Sequence, residues 1–218
     1  MTRVIFFDAA GTLFHLPRGV GWHYADVARR HGVELDEAEL NKAFRSIWES
    51  TPAPLETRTQ RADDQDWWRT LVFRVLDICA VGCEMDPTAY FAELWDEFTR
   101  PGVWELYPET REVLAAFAGR FRLGVVSNFD GRLRKILPLL GISEFFEDLV
   151  ISSEVGSEKP SPHIFGEAVR RFGVLPVEAL HVGDEPEADW RGAREAGLQV
   201  FELQRPANSL RDLLTLLG

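Results

Sequence analysis

Residues Val4–Phe14 read VIFFDAAGTLF. A run of branched and aromatic apolar residues suits a strand covered on both faces, as in a parallel sheet. The run stops at an acid, Asp8, and the chain then turns through Gly11 and Thr12. The same texture, with an acid or hydroxyl at the end, recurs in FRLGVVSN (Phe121–Asn128), DLVISS (Asp148–Ser153), ALHVGD (Ala179–Asp184) and LQVFEL (Leu198–Leu203). Between the later runs lie amphipathic segments of helical length, TREVLAAFAG, GRLRKILPLLG, SPHIFGEAVRRFG and EADWRGAREAG. Several close on Gly, as helices commonly do. Strand–helix alternation of this kind predicts an α/β fold with a Rossmann-like, doubly wound parallel sheet.

That alternation is interrupted directly after the first strand. From about Pro17 to Thr99 the pattern is helical throughout: GWHYADVARRHG, DEAELNKAFRSIWES, DDQDWWRTLVFRVLDICA and DPTAYFAELWDEFTR, with most of the seven Trp. The expectation is an all-helical cap domain, residues 17–100, inserted over the C-terminal edge of a sheet built from residues 1–16 and 101–218, with hinges near LPRGVG and RPGVW. Most of its aromatics read as the core of a helix bundle.

The bulk numbers narrow the function. The chain has 218 residues, 45% of them hydrophobic, and a formal net charge of -11. An acidic surface repels nucleic acid and anionic lipid, so neither is expected as a partner. It also repels a phosphorylated substrate unless a cation sits in the site. No apolar run reaches the roughly 20 residues of a membrane helix, and the first residues do not resemble a secretion signal, so the expected location is cytoplasmic. Cys79 and Cys83, the two cysteines, share a helix face by spacing, but reduced buried thiols serve more often as small apolar side chains than as a redox or metal pair.

In an open α/β sheet, ligands bind at the carboxyl ends of the strands. There the sequence places Asp8, then Ser127 and Asn128, then Lys159 ahead of a helix, then Asp184, Glu185 and Asp189. Singly, each has a bland reading as a helix cap or a surface charge. Together they suggest phosphoryl chemistry. A carboxylate can attack phosphorus and form an acyl phosphate. The Gly11–Thr12 turn N–H groups and the Thr12 and Ser127 hydroxyls can hold phosphoryl oxygens. Lys159 supplies a point cation, and Mg²⁺, which takes hard oxygen ligands, would compensate the clustered carboxylates.

The segments DAAGTL, VVSN, EKPSPHIF and VGDEPEADWRGAREAG occur in this order. They resemble the four motifs of the haloacid dehalogenase-like (HAD) hydrolases, specifically the subfamily whose helical cap follows motif one, and the resemblance spans essentially the whole chain. It implies Asp8 as nucleophile and Mg²⁺ ligand, the Ala10 carbonyl as a second ligand, and Asp184 and Asp189 as further metal residues. It also implies Thr12, Ser127 and Asn128 in substrate binding, Lys159 as the catalytic cation, and a small phosphorylated molecule as substrate. Glu185 is a candidate for the metal shell only.

Phosphatases of this family carry Asp where this chain has Ala10. That Asp protonates the leaving alcohol and later activates water. A branch with Asp-Ala-x-Gly-Thr as its usual first motif resembles this chain also in SNFDGRLR. Four readings stand open at this stage: a phosphatase or phosphotransferase that lacks the usual acid, a phosphonoacetaldehyde-type carbon–phosphorus hydrolase, a 2-haloacid dehalogenase, and a non-catalytic scaffold. The second would need a Schiff-base lysine, and the cap's Lys42 reads as a solvated charge. The third does not need the paired acids of GDEPEAD. His23 and Asp130 are candidate substitutes for the missing acid, with Asp130 better read as a cap. Arg18 and Trp22 are candidate substrate contacts, and His181 reads as a core or near-site histidine.

Overall fold

The computed structural model describes residues 1–51, 63–79 and 85–218. They form two compact units, Leu16–Val103 and Met1–His15 with Trp104–Gly218.

The first unit contains α1 (Gly19–Arg30), α2 (Glu37–Ser50), α3 (Asp63–Ile78) and α4 (Pro87–Glu97). Local chemistry starts two of them: Asp36 accepts the Glu39 N–H ahead of α2, and Asp86 accepts the Thr88 N–H ahead of α4, with Pro87 in the first turn. Their apolar stripes close on Tyr24, Leu40, Leu71, Tyr90 and Leu94. The Tyr90 hydroxyl is satisfied by the Tyr24 carbonyl at 3.1 Å. Lys42 is exposed. Cys79 is half-buried, and Cys83, its suggested partner, lies outside the described residues.

The second unit is built on five parallel strands, β1 (Val4–Phe7), β4 (Arg122–Ser127), β5 (Asp148–Ile151), β6 (Ala179–Gly183) and β7 (Gln199–Glu202), in the order β5-β4-β1-β6-β7. All five strand expectations are met. Period-two alternation splits β1 between the two faces. Val4 and Phe6 pack with Ile164, Phe165 and Phe172 of α8 (Pro162–Phe172). Ile5 and Phe7 pack with Leu114 and Phe117 of α5 (Thr110–Phe117), Ile136 of α6 (Leu133–Leu139) and Leu213 of α10 (Asp212–Leu216). The short α7 (Ser152–Val155) and α9 (Gly192–Glu195) complete the layers. Covering both faces is what requires the apolar run with which the sequence begins.

Register positions the site. Phe7 pairs with Val125 on one side and Val182 on the other. The central strand and both neighbours therefore end at the same edge, where the chain order reverses.

Two features depart from the sequence expectation. A two-residue ribbon, β2 (Phe14–His15) with β3 (Glu105–Leu106), pairs antiparallel after motif one; strands this short carry no periodic signal. The segment EADWRGAREAG is not one α-helix. A wide π-type turn, Pro186–Arg191, precedes α9. There the Glu185 carbonyl accepts the N–H of both Asp189 (2.9 Å) and Trp190 (3.2 Å), and the Trp190 indole N–H is drawn to the Gly183 carbonyl at 2.8 Å. Such insertions re-aim side chains and are frequent at functional sites.

Candidate active site

Asp8 is the first residue beyond β1, and its N–H bonds the Val182 carbonyl of β6 at 2.8 Å. The loop that follows is folded on itself. The Ala9 carbonyl accepts from the N–H groups of Thr12, Leu13 and Phe14, and the Gly11 N–H donates to the Phe14 carbonyl at 2.8 Å. The turn N–H groups of Gly11 and Thr12, expected to face phosphoryl oxygens, thus close the loop instead. Gly11 has φ +94, and a Cβ there would overlap the Asp184 carboxylate. Only glycine allows both the turn and that approach.

Asp8, Ser127, Lys159 and Asp189 are buried and bonded to one another. Asp8 Oδ1 accepts from Lys159 Nζ at 2.6 Å and from Ser127 Oγ at 3.0 Å. Asp189 Oδ1 accepts from the same Lys159 Nζ at 2.5 Å and faces His181 Nε2 at 2.8 Å. Its Oδ2 accepts the Glu185 N–H at 3.0 Å. Gly183 permits this, since a Cβ there would overlap the Asp189 carboxyl. Asn128 spends both ends of its amide on the Lys159 backbone, as donor to the carbonyl at 2.8 Å and as acceptor from the N–H at 2.7 Å. Asn128 therefore fixes the lysine's segment. Thr12 Oγ1 donates to Asp184 Oδ1 at 2.8 Å.

The electrostatics follow from burial and charge count. Burial pushes the Asp8 carboxyl above its ordinary range, and Asp189 adds to that push, while Lys159 opposes it. Burial alone would raise Asp189, yet Lys159 and the His181 hydrogen bond hold it well below the usual carboxylate range. Lys159 loses charge stability to burial but regains more from Asp189 and Asp8, so it stays protonated. Asp184 is pushed up to about 6, chiefly by burial and next by Asp8.

The remaining candidates fall elsewhere. The Glu185 side chain is exposed, and this residue contributes its backbone N–H. Asp130 accepts the Arg132 N–H at 2.9 Å and that residue's guanidinium, closing the turn ahead of α6. His23 is buried within the helical unit, with Nδ1 at 3.1 Å from Glu97 Oε1, and burial lowers its pKa. Arg18 lies over the Trp22 ring at 4.3 Å. His181 fits its reading as a near-site histidine. Among the described residues no helix is long and apolar enough to cross a membrane.

Sequence reading missed Arg205 and Glu109. Arg205 donates to the Thr12 carbonyl at 3.1 Å and pairs with buried Glu109. Neither sits in a recognisable pattern, and 96 positions separate them.

A parallel sheet with an inserted helical unit, and an acid–lysine–acid cluster at its carboxyl edge, define a hydrolase of the HAD type. The chain matches the haloacid dehalogenase-like hydrolase family over residues 2–197 and belongs to it. It is 34% identical over 202 residues to mouse haloacid dehalogenase-like hydrolase domain-containing protein 3, covering 91% of this chain and 80% of the relative. It is 48% identical over 86 residues, 39% of this chain and 37% of the relative, to a glyceraldehyde 3-phosphate phosphatase of Methanopyrus kandleri. Its fold superposes on the magnesium-bound HAD-hydrolase YfnB of Bacillus subtilis with a TM-score of 0.78 at 20% identity, over 99% of this chain and 98% of that one. L-2-haloacid dehalogenases share the fold as well, so the fold alone does not define the reaction.

Proposed function

We propose that the chain is a Mg²⁺-dependent phosphatase or phosphotransferase acting on a small phosphorylated molecule through an aspartyl-phosphate on Asp8. One observation carries this reading: oxygens of Asp8, Asp184 and Asp189 lie within 4.8 Å of one another, while a single ammonium, Lys159, bonds two of the three. The remaining negative charge calls for a cation, and the donors are hard oxygens of the kind Mg²⁺ takes. The rise of Asp184 to about 6 expresses the same shortage of positive charge. Asp8, Asp184 and the Ala10 carbonyl would hold the ion. A carboxylate has about four acceptor sites, and Asp189 would support the ion or one of its waters with what its three partners leave. Bound Mg²⁺ would neutralise charge on the transferring phosphoryl group.

The chain's own residues supply the rest. Asp8 attacks phosphorus, and the bond to the leaving oxygen breaks with its electron pair. Lys159 opposes the burial that disfavours the Asp8 anion and meets the charge of the phosphoryl group, and Ser127 can rotate its hydroxyl from Asp8 to a phosphoryl oxygen. Water then cleaves the acyl phosphate and restores Asp8. Ala10 can neither give a proton to the leaving oxygen nor take one from that water, so substrates whose leaving group departs as a stable anion are favoured and the second step is slow.

The test follows p-nitrophenyl phosphate with Mg²⁺ on the millisecond timescale. The expected result is a burst near one equivalent, absent in Asp8→Asn, and slow turnover that Ala10→Asp accelerates. No burst and no turnover in any variant would overturn the reading.

A further inference from the structure

The loop that carries Thr12 is held from outside by two other parts of the core unit. Arg205, beyond β7, reaches the Thr12 carbonyl with Nη2 at 3.1 Å and Glu109 Oε1 with Nη1. Its guanidinium carbon lies 3.7 Å from the centre of the Tyr107 ring. The next carbonyl, Leu13, accepts from the Tyr107 N–H at 3.2 Å and from Thr110 Oγ1 at 2.7 Å. Consecutive peptide groups of motif one are thus fixed by residues 107–110 and by Arg205. On its other side Thr12 donates its hydroxyl to Asp184.

This arrangement uses what is particular to arginine. A planar fork can bond a carboxylate with one arm and a carbonyl with the other while its face lies on an aromatic ring. A lysine ammonium in the same place has neither the plane nor the reach. Glu109 is 4% exposed, and although burial opposes it, Arg205 holds its carboxyl below the usual range. A buried ion pair often adds little stability over an apolar replacement of the same volume. Here the Arg205 Nε is also buried and without a hydrogen-bond partner, so stabilisation is a poor account of the pair. Orientation is a better one, because the partner of the guanidinium is the peptide that aims Thr12.

We propose that Arg205, anchored by Glu109, is a positioning residue that holds the Thr12 peptide and, through the Thr12 hydroxyl, sets the Asp184 carboxylate for Mg²⁺. The proposal rests on the Mg²⁺ reading of the site. It deepens that reading by assigning a role to residues outside the four motifs.

The test is a double-substitution cycle read by calorimetric titration with Mg²⁺ alone, on the full chain, with melting temperature as a check of folding. Outer partners of metal ligands typically change metal affinity by about 10–100-fold when removed. Arg205→Lys should weaken Mg²⁺ binding about tenfold, the low end of that range, because it acts through one intermediate residue. In the Thr12→Val background the same substitution should change binding by less than about twofold, since the link to Asp184 is already cut. Arg211→Met, which breaks the exposed Arg211–Glu112 pair, should leave the affinity unchanged. Should Arg205→Lys fail to fold, Glu109→Gln takes its place in the same cycle. An equal loss in both backgrounds, or no loss in either, overturns the positioning role while leaving the metal site standing. Absence of Mg²⁺ binding in the unaltered protein overturns the metal site and this proposal with it.

Discussion

Replacing Asp184 by Asn should stabilise the metal-free protein, and the gain should depend on pH in a defined window. Asp184 is half-buried and is pushed up from its ordinary 3.8 to about 6. An acid whose folded pKa is raised binds its proton more tightly in the native state. Its contribution is therefore most favourable below 3.8 and is lost as pH rises through about 6. A little over two pH units corresponds to about 3 kcal/mol at most, and water reaching a half-buried carboxylate screens part of that, leaving roughly 1–3 kcal/mol. Asn keeps an acceptor for the Thr12 hydroxyl and carries no charge, so it mimics the protonated acid. Thermal melts of both proteins in chelator should show the variant higher by roughly 2–12 °C at pH 8, at 2–4 °C per kcal/mol for a chain of this size. The gap should narrow steadily as pH falls from 6 toward 4. Saturating Mg²⁺ should raise the unaltered protein and leave the variant where it was. A gap that ignores pH, or a variant that melts lower at pH 8, would refute the argument that uncompensated charge at Asp184 is what Mg²⁺ relieves.

Lys159→Met should destabilise the fold by about 3–5 kcal/mol in urea titrations, because Asp8 and Asp189 would lose their shared ammonium inside the protein; a loss under about 1 kcal/mol would mean the carboxylates already reach water. Gly11→Ala meets a φ of +94 and an overlap of the new Cβ with the Asp184 carboxylate, so it should cost more than about 1 kcal/mol and weaken Mg²⁺ binding. Unchanged stability and affinity would show that the motif-one loop yields readily. Ala10→Asp should raise turnover of an alkyl phosphate by about 10²–10⁴ and that of p-nitrophenyl phosphate far less in the burst phase. Equal gains in that phase would mean the unaltered chain has another proton donor.

The three inner strands were legible from Val4, Phe121 and Ala179 onward because a strand covered on both faces must be apolar along its length, and that demand is local; the edge strands from Asp148 and Leu198 are less buried and show shorter apolar runs. Helix starts at Asp36 and Asp86 are local too, since each cap acts within three residues. Asp8, Ser127, Lys159, Asp184 and Asp189 could be singled out because each lies at the end of a strand or just before or within the segment that follows one. What became of them could not be read. Thr12 turns to Asp184, Asn128 to the lysine backbone, and Asp189 to His181 as well as Lys159. Those choices depend on distances between segments that the sequence separates by 8 to 172 positions. The ribbon at Phe14 and Leu106 and the Arg205–Glu109 pair were invisible for the same reason. A hydrogen bond between remote segments needs only one correctly placed atom on each side, and such a contact imposes no period and no composition on either stretch. The sequence by itself determined the layers of this protein and which residues gather at the sheet's edge. The tertiary structure decided which of them bond to one another, because that depends on register, burial and the shortage of positive charge among three acids.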